Sequence, residues 1–294
     1  TDDWDLLVPT DSELEKGEKE ILNNGISREH GTVVLWTNLD EALPLLSASE
    51  ASESEKFLAQ LIVEISVHLR MVFHRFMQGT VSGRRKLDIY VCGEKLIPWD
   101  PFCRNETTRE LDIVKLPVVA TDSDGSKVRG AVTVSPFILP SEEEFSSPVL
   151  WRDASGPRGW NQQQGFYFYR NGRLLQAGGW SYLRSVDEHT KLLRVAVDFS
   201  SELDAVFSIN ITKMRAKIPA EIKDRLGSLV GTWSGLARKR YDRKVRSQGK
   251  STPVARDSFP AGKESRRARE VPASVTVGPL IFSQNNNSAK LVIT

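Results

Sequence analysis

The chain has 294 residues, of which 39% are hydrophobic and 27% are charged, and its 40 Lys and Arg nearly balance its 38 Asp and Glu. A net charge of only +2 gives no indication of a partner bound through overall charge, and the length suffices for one sizeable core or two modest domains. Two cysteines without a CxxC motif exclude a disulfide scaffold and a thiolate metal site, and no apolar run reaches the ~20 residues that span a bilayer. We therefore expect a cytoplasmic protein without a membrane partner.

The first 45 residues predict the end of an upstream domain rather than a domain of their own. Residues 1–28 are acidic and carry a pattern only over 14–22, where a short helix is expected. The run Gly-Thr-Val-Val-Leu-Trp over 31–36 predicts a strand. This strand either closes the upstream domain or forms the edge of the domain that follows.

Residues 51–77 predict a long helix. One apolar stripe recurs there at steps of three and four residues: Leu58, Leu61, Ile62, Ile65, Leu69, Val72 and Phe76. The helix contains His68 and His74, but a separation of six residues points them in different directions, and no HExxH motif accompanies them. We interpret both as surface or capping histidines.

Short strands and turns are expected over the middle of the chain. Residues 86–97 alternate and turn at Gly93-Glu94, and two further strands, 114–120 and 127–134, are joined by Asp122-Ser-Asp-Gly125. That acidic stretch could begin a calcium loop, but the later ligands are absent, which favours a simple turn. The polar, Pro- and Gly-containing stretch 141–161 is interpreted as a mobile loop.

The most informative stretch begins at Gly165. Residues 165–175 predict a hairpin that turns at Asn171-Gly172, the strongest two-residue hairpin signal. Residues 192–199 and 206–211 predict two more strands, and three cations, Lys213, Arg215 and Lys217, follow the second one. Such a charged strand end either aims a cation at an anion or simply discourages edge-to-edge aggregation.

A basic helix and a linker follow. Pro219 begins a helix that runs to about Arg246, with an apolar side of Ile222, Leu226, Leu229, Val230, Trp233, Leu236 and Ala237. Residues 249–271 are predicted to be a disordered basic linker, with short strands at 276–282 and 290–293. The pattern therefore predicts three parts: residues 1–45, an α+β domain over 46–246 in which two helices cover one face of a mixed sheet, and a linker with the start of a further domain over 247–294.

The 165–175 hairpin, the later Ile-Asn-Ile-Thr-Lys213 strand end and the 86–102 hairpin resemble the transducer domain of GHKL ATPases. This superfamily includes gyrase, the heat-shock chaperone, histidine kinases and MutL, and the bacterial MORC-like members are the most similar. The resemblance implies a ribosomal-protein-like transducer that senses ATP and Mg²⁺ held by an upstream domain and relays closure to partner domains or a second subunit, as in a homodimer. It places Lys213 at the γ-phosphate and makes Arg170, Arg173, Arg215 and Lys217 candidates for proximity to the nucleotide; a solvated role for the hairpin arginines is the alternative.

The sequence lacks the parts of a GHKL nucleotide pocket. It has no Asp-x-Gly-x-Gly adenine loop, no glycine-rich lid, no Glu and Asn pair for water activation and magnesium, and no Walker loop. We therefore expect the pocket to lie upstream of residue 1. The chain alone is expected to bind no ATP and no metal and to be inactive as an ATPase.

Two other functions stay open. The first is a nucleic-acid-binding module that uses the basic stretch 238–269, with candidate contacts at Arg238, Lys239, Arg240, Arg243, Lys244 and Arg246. A solvated helix end is the plainer interpretation, because few aromatic residues are interleaved. The second is a stand-alone hydrolase, for which neither a GxSxG nor a Cys-His motif is present.

Overall fold

A computed structural model describes residues 14–26, 34, 51–121, 127–208 and 217–248. The chain forms two compact units: residues 1–64, 90–95 and 267–294 belong to one, and residues 65–89 and 96–266 belong to the other. The predictions for 31–36, except Val34, and for everything after residue 248 lie outside the described residues. Val34 itself has no regular structure.

The first unit contains helical segments and one small hairpin. Helix α1 (Lys16–Ile26) confirms the short helix expected near the start. Strands β1 (Tyr90–Val91) and β2 (Glu94–Lys95) pair antiparallel and confirm the hairpin predicted over 86–97. Its turn is Cys92-Gly93, one residue earlier than expected, and both residues have the positive φ (50° and 81°) that such two-residue turns require.

The long helix predicted over 51–77 is two helices. Helix α2 (Ala51–Val72) is interrupted at Phe73, whose φ and ψ of −105° and 12° leave the helical region. Helix α3 (His74–Gln78) follows and ends at Gly79, whose left-handed φ of 71° ends the helix. His74 lies in α3 with no exposed surface, so its interpretation as a surface or capping histidine was wrong.

A six-stranded sheet forms the centre of the second unit and confirms the α+β class. Its strands are β3 (Arg109–Glu110), β4 (Val114–Thr121), β5 (Lys127–Ile138), β6 (Gly165–Arg170), β7 (Arg173–Ala177) and β8 (Leu193–Phe199). The order is β7–β6–β8–β5, and both β3 and β4 pair with β5. The sheet is mixed because β6 and β8 run parallel, whereas the other pairs are antiparallel.

Strand β6 is buried on both faces. Its phenylalanines point to one side, where Phe166 meets Trp180 and Phe168 meets Phe207, with ring centroids 5.3 and 6.4 Å apart. Its tyrosines point to the other side, and all four aromatic side chains have no exposed surface. A strand that is covered twice reads as a continuous apolar run, which is why Gly165–Arg170 lacks a polar alternation.

The sequence predicted that two helices would cover one face of the sheet. In the structure they lie on opposite faces. Tyr169 of β6 contacts His74, which places α3 on the tyrosine side. Helix α6 (Ala220–Gln248) lies on the phenylalanine side, where Arg184 stacks on Trp180 and donates to the Ser234 hydroxyl. The predicted apolar side of α6 is confirmed, since Ile222, Leu226, Val230, Trp233 and Ala237 are buried in the core and Leu229 and Leu236 pack against it.

The segment 141–161 is structured, whereas a loop was predicted. It contains a 3-10 turn (Glu142–Glu144) and helices α4 (Pro148–Ala154) and α5 (Gly159–Gln163). The signals for α4 were present in the sequence, because Ser147 caps the Leu150 amide at 3.2 Å and Pro148 stands in the first turn. Trp151 and Trp160 stack with centroids 3.8 Å apart, and such non-local packing holds these short helices in place.

The strand predicted over 206–211 was wrong where it can be compared. Residues 206–208 form a turn after the 3-10 turn Ser201–Leu203, and residues 209–211 lie outside the described part. Phe207 is nonetheless fully buried, and its ring stacks on Phe199 at 4.0 Å. Within residues 206–208 the chain therefore returns to the core without forming a strand.

Candidate functional site

The parallel strands β6 and β8 end at the same edge of the sheet. Arg170 pairs with Phe199 at this edge, and the Asn171 amide donates to the Phe199 carbonyl oxygen at 3.0 Å. The hairpin turn that follows β6 has positive φ at Asn171 (47°) and Gly172 (84°), as the Asn-Gly pair predicted. Ligands of open sheets bind preferentially beyond the carboxyl ends of parallel strands, so this edge is the candidate functional site.

Arg170 is held by an aspartate at this edge. Its Nε and one terminal nitrogen donate to the two carboxylate oxygens of Asp204 at 2.6 and 2.5 Å. The hydrogen bond to Asp204 and the charge of that carboxylate raise the pKa of Arg170, and the geometry is the bidentate form that arginine favours. Both side chains remain about one-third exposed, at 38% and 34%. Arg170 could therefore contact a phosphate only by exchanging or sharing its aspartate.

Arg75 of α3 forms a second arginine–aspartate pair, which sequence reasoning missed. Its guanidinium lies 3.4 Å from the centroid of the Tyr169 ring and donates to both oxygens of Asp198, the second bond at 3.2 Å. Burial lowers the pKa of Arg75, but Tyr169 and the bond to Asp198 outweigh it, so the pKa is raised. The available signal was Asp198, the one carboxylate in strand β8.

The two pairs brace opposite faces of the strand ends. Tyr169 and Arg170 are successive residues of β6, so their side chains point to opposite faces. Arg75–Asp198 lies on the tyrosine side with α3, and Arg170–Asp204 lies on the other side. Arg75 and Arg170 are therefore both held in ion pairs at this edge.

His74 anchors α3 beneath this edge. Its Nε2 lies 2.8 Å from the Tyr169 hydroxyl oxygen, and burial lowers the pKa of His74 from 6.5 to about 4. Burial also raises the pKa of Tyr169 well above 10. Both groups are neutral at pH 7, so their hydrogen bond is a structural link and not an acid–base pair.

Two other predicted residues reach the same region. The Arg173 guanidinium lies 5.6 Å from the Phe73 ring centroid, and the Lys217 amide donates to the Phe207 carbonyl oxygen at 2.9 Å with an exposed side chain. Because Phe207 stacks on Phe199, Lys217 lies at the end of β8. Lys213 and Arg215 lie in 209–216, outside the described residues. The structure thus collects Arg170, Arg173 and Lys217 at one edge.

Two of the candidate nucleic-acid contacts on α6 are engaged within the protein. Arg238 pairs with Asp187, and Arg240 donates to Glu144, Ile138 and Thr107 at 3.0–3.1 Å. Lys239 and Arg243 are exposed. Lys244 and Arg246 are helical, and their side chains lie outside the described part.

A small surface pocket lies between the 183–187 loop and α6. It has a volume of about 300 Å³ and is lined on the helix by Gly227, Val230 and Gly231. Its charged groups, Arg184 and Asp187, face each other at 3.7 Å. The pocket is at the small end of ligand sites, and its arginine already faces a carboxylate.

No family model, curated protein or solved structure matches this chain. Within the described ranges no group of three His, Cys, Asp or Glu is placed to hold a metal ion. None of the helices in those ranges is both long and apolar enough to cross a bilayer.

Proposed function

We propose that this chain is the transducer segment of a GHKL-type ATP-binding protein, which senses ATP and Mg²⁺ bound by an upstream domain through Lys213. The observation that carries the proposal is the anchoring of the residues on either side of 209–216. The Phe207 ring stacks on the Phe199 ring, and the Lys217 amide donates to the Phe207 carbonyl oxygen. Phe207 and Lys217, which flank the segment with Lys213, thus lie together at the end of β8, near Arg170 and the hairpin turn.

A second support is the rigidity of this base. The two arginine–aspartate pairs and the His74–Tyr169 bond tie the ends of β6 and β8 to the 3-10 turn and to α3. A displacement applied at the strand ends is therefore passed to α3 and, across Phe73, to the end of α2. A close-packed sheet with fixed ion pairs moves as a unit, which is what a relay between domains requires.

The proposed role of Lys213 is to complete the charge around the γ-phosphate on domain closure. Phosphoryl transfer is catalysed mainly by positioning and by neutralising the charge on the phosphoryl oxygens. A lysine delivers one compact charge on a flexible stem. Supplied from a second domain, it makes turnover depend on closure, and an upstream domain, or a second subunit in a homodimer, would receive the signal.

The first test measures ATP binding to the chain alone by calorimetry in the presence of Mg²⁺. We expect no binding and no hydrolysis, because the adenine loop, the lid and the magnesium ligand are absent from the sequence. Micromolar binding by the chain alone would contradict the proposal.

The second test uses the longest natural polypeptide that contains this chain. Lys213→Ala should leave nucleotide affinity nearly unchanged and lower turnover by roughly 10- to 1000-fold, the scale of one preorganised charge. Lys217→Ala is the matched control, since its backbone and not its side chain closes the segment, and it should have a much smaller effect. Full turnover in Lys213→Ala would remove Lys213 from this role.

Nucleic-acid binding through 238–269 is the alternative proposal, and the geometry gives it less support. Arg238 and Arg240 are held by acceptors of the same chain. The exposed Lys239 and Arg243 remain as candidates on the described part of α6.

A further inference from the structure

Tyr182 is a bulky residue at a turn position that favours glycine. The Leu183 amide donates to the Trp180 carbonyl oxygen at 2.9 Å, and the two residues between them, Ser181 and Tyr182, have φ of 47° and 64°. Positive φ at both central residues is what a type I′ turn requires, and Asn and Gly are preferred there. A tyrosine in this left-handed region is strained. Packing of the ring against the described residues does not offset the strain, because Tyr182 is 99% exposed.

The residues on either side of Tyr182 hold it in place. Trp180 is buried, and its Nε1 donates to the Gln164 Oε1 at 3.2 Å. Leu183 packs against the core, and the Arg184 guanidinium carbon lies 5.4 Å from the centroid of the Trp180 ring. Tyr182 therefore projects from a fixed base, so covering its ring costs little further conformational entropy.

The pocket of about 300 Å³ adjoins this tyrosine. Leu183 forms one wall, and Val186, which is 42% exposed, and the buried Val230 add apolar surface. Gly231 lines it from α6, and a Cβ at Gly231 would have no atom of the described residues within 4 Å. Glycine weakens a helix interior relative to alanine, and packing within the described residues does not account for it here. The absent side chain leaves room for an aromatic ring.

We propose that a second copy of this chain covers the pocket, with Tyr182 of each copy inserted into the pocket of the other. A protrusion and a cavity that adjoin on one face are self-complementary under a two-fold axis, because each copy then supplies both parts. The charges fit the same symmetry, since Arg184 and Asp187 both line the pocket and each copy brings one arginine and one aspartate to the contact. Tyrosine is enriched in such contacts because its large ring is buried while its hydroxyl finds a partner.

This contact lies away from the proposed nucleotide edge. Trp180 packs on Phe166 at the start of β6, with ring centroids 5.3 Å apart, whereas Arg170 is at the end of that strand. The pairing therefore holds or fails separately from the proposed role of Lys213. Two exchanged rings by themselves bury roughly 300–500 Å² of surface, and a standard interface buries about 1,200 Å² or more. We therefore expect a weak dimer.

The test is sedimentation velocity of the whole chain from micromolar to millimolar concentration, in which the wild-type chain should form a dimer. Tyr182→Gly removes the ring and relieves the turn, so it should be no less stable than wild type in dilute solution and yet be monomeric. Gly231→Gln fills the pocket with a good helix former and should also be monomeric. With about 30-fold lost at each of two equivalent contacts, the dimer Kd should rise by about 1000-fold in either variant.

Matched variants control for lost apolar surface and for added bulk. Ile97→Ser removes another largely exposed apolar side chain, and Thr232→Gln places the same new side chain at the next residue of α6, which does not line the pocket. Both should dimerise as the wild type does.

A mixture of the two defective variants tests the exchange itself. Tyr182→Gly still supplies a pocket and Gly231→Gln still supplies a ring, so one of the two contacts can form between them. The mixture should associate with a Kd about 30-fold above that of the wild type, and therefore about 30-fold below that of either variant alone.

Three outcomes would overturn the proposal. A wild-type chain that stays monomeric at millimolar concentration would leave the pocket to another protein or to a segment of this chain. A dimer that is unchanged in Tyr182→Gly or in Gly231→Gln would place the contact on another surface. Two monomeric variants that do not associate with each other would exclude a reciprocal exchange.

Discussion

His74 Nε2 and the Tyr169 hydroxyl oxygen lie 2.8 Å apart, with both side chains fully buried. This bond joins α3 to the strand that ends at the candidate site. Because burial holds the pKa of His74 near 4, the link is formed by neutral partners. Protonation of His74 would place a charge between the helix and the sheet.

Stability should therefore fall as the pH drops from about 6.5 to about 4. In that window the unfolded chain binds a proton at residue 74 and the folded chain does not, so the free energy of unfolding decreases by about 3 kcal/mol in total. Urea unfolding at several pH values measures it. His74→Gln should remove this contribution, whereas His68→Gln, at an exposed position of α2, should keep the wild-type slope. If the free energy of unfolding depends on pH equally in wild type and His74→Gln, His74 takes up its proton in the folded chain as readily as in the unfolded chain.

Arg75→Lys should destabilise the protein although it keeps the charge. Lysine has neither the planar surface that stacks on Tyr169 nor the two-pronged donor that holds Asp198. We expect the free energy of unfolding to fall by roughly 1–3 kcal/mol, measured by urea at neutral pH. Arg70→Lys, whose pair with Asp153 is longer at 3.8 Å and more exposed, should cost less than about 1 kcal/mol. A double-mutant cycle with Asp198→Asn should show coupling; additive effects would mean that the pair contributes little.

Gly165→Ala should prevent or severely weaken folding. Gly165 has a φ of 113°, and a Cβ there would lie 2.2 Å from the Gly179 carbonyl oxygen. The expected loss exceeds about 3 kcal/mol, since a backbone must move. Gly231→Ala is the control: it lies in α6 with open space around it and should raise stability by about 0.5–1 kcal/mol. Thermal unfolding of both variants checks the contrast, and a tolerated Gly165→Ala would contradict the backbone conformation described.

Substitutions of Arg240 and Lys239 should distinguish a contribution to stability from a contribution to nucleic-acid binding. Arg240→Ala removes donors to Glu144, Ile138 and Thr107 and should cost roughly 1–3 kcal/mol, whereas Lys239→Ala should change stability by less than about 0.5 kcal/mol. Truncation after Leu236 would remove Arg240 as well, so it confounds the two roles.

The exposed residues Lys239 and Arg243 of α6 test the alternative function. If α6 binds nucleic acid, Lys239→Ser with Arg243→Ser should weaken the shift of a labelled duplex at low salt and lessen its salt dependence. A wild-type chain that gives no shift at low salt would remove that function. A shift that is unchanged in the double variant would move the contacts away from the described part of α6.

Local patterns predicted much of the second unit. The Asn-Gly turn, the apolar run of β8 and the three- and four-residue spacing on α6 are each decided within one stretch of chain, because turn conformation and side-chain periodicity depend on neighbouring residues. The pair β4 and β5 was likewise predicted, and the structure extends both strands. The position of Arg170 and Arg173 on either side of one turn followed from the hairpin prediction alone.

Contacts between residues that are far apart in the chain could not be predicted from the sequence. Arg75 and Asp198 are 123 residues apart, and His74 and Tyr169 are 95 apart, so no local pattern joins them. The helices α4 and α5 were missed because helices of only five to seven residues gain their stability from the packing of Trp151 and Trp160, not from propensity. The sequence by itself determined the 165–175 hairpin, the β4–β5 pair, strand β8 and the amphipathic helix α6. Only the tertiary structure decided which face of the sheet each helix covers and which carboxylate each arginine meets, because those choices depend on burial and charge pairing between distant segments.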